Sequence, residues 1–94
     1  MAALLVIALV TGCAGAPVQE MSDARQAVKA AHKADADKYA PELLAQAEAL
    51  IKSASANIRK GEYRVARDEA AQAREKAMEA RRIAELATAP QPGP

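Results

Sequence analysis

Apolar and polar positions alternate along this chain with a helical period from about residue 22 onward, and with no period before it. The strongest stripe is Ala66, Ala70, Ala73, Ala77, Ala80, Ala84 and Ala87, spaced four and three in turn. Such spacing puts every member on one face of a helix and makes an all-alanine seam. Upstream, Ala40, Leu44, Ala47, Ile51, Ala54 and Ile58 repeat the same spacing. Ala24, Ala27, Ala31 and Ala34 mark a face of an earlier, shorter helix, for which Ser22-Asp23 offers an N-cap.

Breakers divide these stripes into elements. Pro41 disfavours helical geometry at Ala40 and suits the first turn of a following helix, and Gly61 is the next interruption. The pattern predicts helices over residues 22–37, 41–60 and 62–88. Folding back about Glu62 would pair Ile58 with Ala66, Ala54 with Ala70, Ile51 with Ala73, Ala47 with Ala77, Leu44 with Ala80 and Ala40 with Ala84. Large side chains then oppose alanine, which lets two helix axes approach closely. Leu43 and Leu50 widen the stripe of the second helix, a flank the first helix could cover. The expected fold is all-α: an antiparallel alanine-rich hairpin with a shorter N-terminal helix, three-helix and coiled-coil-like. The competing arrangement is one long helix running through Gly61 that buries its alanines in an oligomer, since a single glycine costs a helix only about 1 kcal/mol.

Composition adds a weakness to this picture. The chain has no Trp or Phe, and its aromatics are Tyr39 and Tyr63. Alanine forms helices readily but buries little surface, so a domain of this size is expected to need a tether or a partner. Lys and Arg total 13 against 12 Asp and Glu, with the signs interleaved. That balance lacks the basic face and stacking aromatics of a nucleic-acid binder. Pairs at helical spacing, Glu48 with Lys52 and Arg64 with Asp68, read as solvated faces.

Before the helices stands a different kind of segment. Ala2 to Val10 carries no polar side chain and ends at Leu9-Val10-Thr11-Gly12-Cys13, which contains the chain's one cysteine. The run is about half the ~20 residues a spanning helix needs and suits a signal peptide. A buried strand or helix with an inert cysteine is the other reading of such a run. Its close on small residues before cysteine resembles the lipobox of bacterial lipoproteins, in which signal peptidase cuts before a cysteine already linked to diacylglycerol. The resemblance implies a signal peptide at 1–12 and an acylated tether at 13–21 with Cys13 as its lipidation site; the helical pattern then gives a helical domain at 22–88, and the proline-rich 89–94, which cannot continue a helix, is expected to be a disordered tail. It implies anchoring at Cys13 in a bacterial membrane. Ala14-Gly15 stands where an aspartate often signals inner-membrane retention, so the periplasmic face of the outer membrane is favoured.

Tyr39-Ala40-Pro41-Glu42-Leu43, followed by spaced alanines and Gly61-Glu62-Tyr63 leading to Ala66, resembles an uncharacterised family of short alanine-rich bacterial lipoproteins. The similarity would cover residues 22–88. Members are sometimes joined to OmpA-like peptidoglycan-binding domains, which this sequence does not contain, and the family has no established activity. The Gly61-Glu62-Tyr63 turn with Ala66 and Ala73 is similar to half of a tetratricopeptide repeat, but no second copy follows. The alanine seam also resembles the alanine-zipper murein lipoproteins. Those that attach covalently end in lysine, whereas Pro92-Gly93-Pro94 ends this sequence.

Candidate chemistry is sparse. His32 is the single histidine, with Asp35 its nearest helical carboxylate, and a metal site needs more convergent ligands. No nucleophile-and-base arrangement or phosphate loop stands in the sequence, so neither an enzyme nor a cofactor is expected. Arg25, Lys29 and Lys33 make a basic stripe that could meet headgroups or peptidoglycan carboxylates, although most such stripes are merely solvated. Tyr39 and Tyr63 are candidate contacts beside helix breaks. The expected role is a non-enzymatic, lipid-anchored envelope module whose partner is an envelope protein or peptidoglycan. The alternatives are a self-associating alanine-zipper spacer, a homo-oligomer between membrane and wall, and a small-ligand or lipid carrier.

Overall fold

The computed structural model describes residues 15–90 and Gly93. The expected signal-peptide segment, Cys13 and half of the expected tail lie outside the described residues. Four helices follow in order: α1 (Val18–Lys33), α2 (Ala36–Tyr39), α3 (Pro41–Arg59) and α4 (Tyr63–Thr88). The fold is all-α, and α3 and α4 form the antiparallel hairpin that the alanine spacing predicts.

Gly61 makes the turn. Its φ of 79° lies in the left-handed region that glycine enters without steric cost. Gly61 N–H donates to Ile58 O at 3.0 Å and Glu62 N–H to Asn57 O at 2.8 Å. These two bonds satisfy carbonyls that the end of α3 would otherwise leave open, the arrangement known as a Schellman motif. The long-helix alternative through Gly61 is thereby excluded. At the other end of α3, Ala40 is non-helical and Pro41 occupies the first turn, as the proline rule requires.

The seam packs as the spacing demands. Ala66, Ala70, Ala73, Ala77, Ala80 and Ala84 are completely buried, as are Ala47 and Ala54 opposite them. Of the buried apolar residues on the helices, all but Met21 and Leu44 are alanine. Ala87, the seventh expected member, is exposed. A pairing centred on Glu62 reaches its limit where Ala40 meets Ala84, so α4 overruns the start of α3 by about one turn.

The first helix departs most from expectation. It begins at Val18 instead of near Ser22, because the turn is launched at Pro17, whose carbonyl accepts Met21 N–H at 3.0 Å. Ser22 and Asp23 do not cap it; within the helix they accept bonds from Gln26 and Gln19 respectively. The helix stops at Lys33, not residue 37, because Asp35 turns into the left-handed region with φ 68° and a separate turn, α2, follows. Asp tolerates that conformation better than most side chains.

Met21 and Ala24 share a core cluster with Ala54, Ala66, Ala70 and Ala73, whereas Ala31 and Ala36 join Ala40, Leu44, Ala80 and Ala84. Thus α1 runs alongside α4 in the same direction and antiparallel to α3, packing chiefly on α4. Helix α1 completes the bundle that Leu43 and Leu50 required, and both are partly buried against the clusters it shares. Of the expected face of α1, Ala24 and Ala31 are buried while Ala27 and Ala34 are half-covered.

Candidate functional site

The span expected as a tether, residues 13–21, runs into the bundle. Residues 18–21 belong to α1, Pro17 is fully buried, and Arg67 Nη2 donates to Gly15 O at 3.2 Å. Arg67 also pairs with Glu20 on α1 at 3.5 Å. The chain is therefore held against the bundle from Gly15 onward. Cys13 itself lies outside the described residues.

The five surface candidates do not converge. Arg25 and Lys29 line an open cleft of about 310 Å³ with Val18, Ser22 and Gln26 along the outward side of α1. Lys33 has turned away from them and lines another cleft with Arg81, Glu85 and Thr88. The Arg25, Lys29, Lys33 stripe is thus broken. The helical twist carries its last member toward α4.

Tyr39 and Tyr63 end up at opposite ends of the bundle, one closing α2 and the other opening α4. Tyr39 is 37% exposed, and the Lys38 ammonium stands 5.3 Å from its ring centroid. With Ala40, Pro41, Glu42, Leu43 and Ile83 it lines a shallow cleft of about 300 Å³. Tyr63 is half-buried at the hairpin turn.

His32 is exposed, and its partner is Glu48 on α3, with Nε2 to Oε2 at 2.8 Å. The helical neighbour Asp35 is not its partner, because the chain turns there. Among the described residues, neither Glu48 with Lys52 nor Arg64 with Asp68 forms an ion pair. Arg81 pairs with Glu85 at 2.8 Å, and Arg82 with Glu79. Hydrogen-bonded to Glu79 and attracted by its charge, the Arg82 guanidinium is held above its ordinary pKa. Both of these pairs are solvent-screened and worth little to stability.

One polar cluster escaped the sequence reading. Glu69 accepts hydrogen bonds from Ser53 Oγ at 2.6 Å and Asn57 Nδ2 at 2.7 Å, joining α4 to α3 beside the turn. Two neutral donors on one carboxylate thus bridge the two helices of the hairpin. Among the described residues, no helix is long and apolar enough to cross a membrane, and no group of three or more His, Cys, Asp or Glu could hold a metal ion.

Residues 19–91, from the first turn of α1 to just past α4, match the family described as a domain of unknown function (DUF4398). The chain belongs to the DUF4398 family. The matched span takes in the whole bundle, so the hairpin, the Gly61 turn and the packed first helix together make up a DUF4398 unit. No curated protein and no solved structure matches this DUF4398 chain.

Proposed function

We propose that this protein is a non-enzymatic lipoprotein of the bacterial cell envelope, anchored through an acylated Cys13 and presenting its DUF4398 bundle as a small structural or adaptor module. The observation that carries this reading is the apolar run closing on Leu9-Val10-Thr11-Gly12-Cys13. A folded unit that begins at Gly15 and Pro17 supports it, because cleavage before Cys13 would leave the bundle whole. Diacylglycerol with a further acyl chain gives stable attachment, since each buried methylene contributes about 0.8 kcal/mol. Ala14-Gly15 after the cysteine favours the outer membrane on the lipoprotein resemblance.

Its partner is an envelope protein or peptidoglycan. Proximity labelling from the bundle in intact cells is expected to enrich one of these, and enrichment of neither would remove the adaptor role. The spacer reading is less favoured, because the α4 alanines that a zipper would offer to a second copy are consumed within the chain. A carrier is less favoured too, since the large apolar side chains are few and the clefts described above are open.

A further inference from the structure

Two contacts lock α1 against α3 and create a surface that the anchor does not use. Arg25 Nη2 donates to Ser55 Oγ at 3.2 Å, and His32 Nε2 meets Glu48 Oε2 at 2.8 Å. Lys52 precedes Ser55 by three residues and Arg59 follows it by four, so both lie on the strip of α3 that Arg25 reaches. Lys29 follows Arg25 by four on α1. All four cations are exposed. Glu48, the carboxylate on this strip, is engaged by His32.

The acids of α1 are directed elsewhere. Glu20 pairs with Arg67 on α4, and Asp23 accepts from Gln19 on its own helix. The carboxylates of α1 are thus engaged away from the four cations of the α1–α3 side, although the chain as a whole is nearly neutral at +1. Before Lys52, α3 presents the exposed Ala45 and Ala49, small side chains that leave that end of the surface flat. Neither tyrosine lies on this strip, so it offers no stacking platform for nucleic-acid bases.

Position relative to the anchor decides among anionic surfaces. Gly15 is held to Arg67 only two residues after Cys13, a span of at most about 7 Å of extended chain. That keeps the Gly15 end of the bundle beside the anchor. Val18, 73% exposed, leads the strip from this same end. We propose that Arg25, Lys29, Lys52 and Arg59 form a docking strip for the phosphate headgroups of an anionic phospholipid bilayer, laying the bundle along the membrane. The geometry of this inference rests on the anchored reading; its charge does not.

The test is co-sedimentation of the full chain with vesicles of phosphatidylcholine alone and of phosphatidylcholine mixed with phosphatidylglycerol. Binding to the neutral vesicles reports the apolar N-terminus, whereas the increment on anionic vesicles reports the strip. That increment should fall about fivefold for each cation removed at low salt. It should vanish in the Arg25→Gln, Lys29→Gln, Lys52→Gln, Arg59→Gln variant and persist in Arg74→Gln, Lys76→Gln, Arg81→Gln, Arg82→Gln. Circular dichroism of both variants checks that the helices are retained. Equal binding to both vesicle types overturns the proposal, as do equal losses in the two variants or pelleting with purified peptidoglycan alone. An unacylated Cys13 would instead refute the anchor and leave the anionic increment standing.

Discussion

Asn57 holds Glu69 across the hairpin with a 2.7 Å hydrogen bond from Nδ2 to Oε1, while its own backbone carbonyl accepts Glu62 N–H at 2.8 Å. One residue thus ties the end of α3 both to the turn and to the helix beyond it. The bond is charge-assisted and part-buried, conditions under which such contacts contribute most.

Glu69→Ala should therefore destabilise the bundle by about 1–3 kcal/mol, since Ser53 and Asn57 both lose their acceptor. A double-mutant cycle between Asn57 and Glu69, read by urea denaturation, is expected to give a coupling of about 1 kcal/mol. A coupling near zero would mean that the carboxylate is solvated and does not set the register.

Gly61→Ala separates backbone strain from packing. A Cβ built at Gly61 meets no atom within 4 Å, yet φ is 79°. The expected loss is about 1 kcal/mol, all of it from forcing a side chain into the left-handed region. A Pro41→Gly variant should also lose stability in the same denaturation measurement, through greater freedom of the unfolded chain, although Pro41 is exposed.

Much of this hairpin was legible because alanine, Pro41 and Gly61 act locally: spacing defines the face, and each breaker has one preferred place at a helix end. The Ser53, Asn57 and Glu69 cluster was not legible. Its members stand on two helices and converge only once the register is fixed. Ala87 misled because periodicity continues to the end of α4 while its partner helix does not. Asp35 and Pro17 reset the ends of α1 through backbone conformations that a composition-based reading of Ser22-Asp23 could not foresee. Lys33 left its stripe for the same kind of reason, helical twist against a particular neighbour.

Close packing in an alanine core should make enlargement as harmful as truncation. Ala70 and Ala54 are both fully buried in one cluster. Ala70→Leu is expected to cost about 1–3 kcal/mol or more by separating the helices. Ala87→Leu, beyond the reach of α3, should stay within about 0.5 kcal/mol of the parent. Equal melting temperatures for the two variants would contradict the seam.

Leu44 tests the opposite change. It is 2% exposed in a cluster whose other buried members, Ala31, Ala36, Ala40, Ala80 and Ala84, are all alanine. Leu44→Ala should cost about 2–5 kcal/mol, toward the upper part of the range for leucine truncation. Thermal denaturation followed by circular dichroism measures it.

Anchoring at Cys13 is the claim on which the functional account turns, and intact mass spectrometry of the protein from fractionated bacterial membranes tests it most directly. The account predicts a species beginning at Cys13 with added diacylglycerol and acyl mass, lost in a Cys13→Ala variant. An unmodified chain retaining residues 1–12 and recovered from the soluble fraction would contradict it.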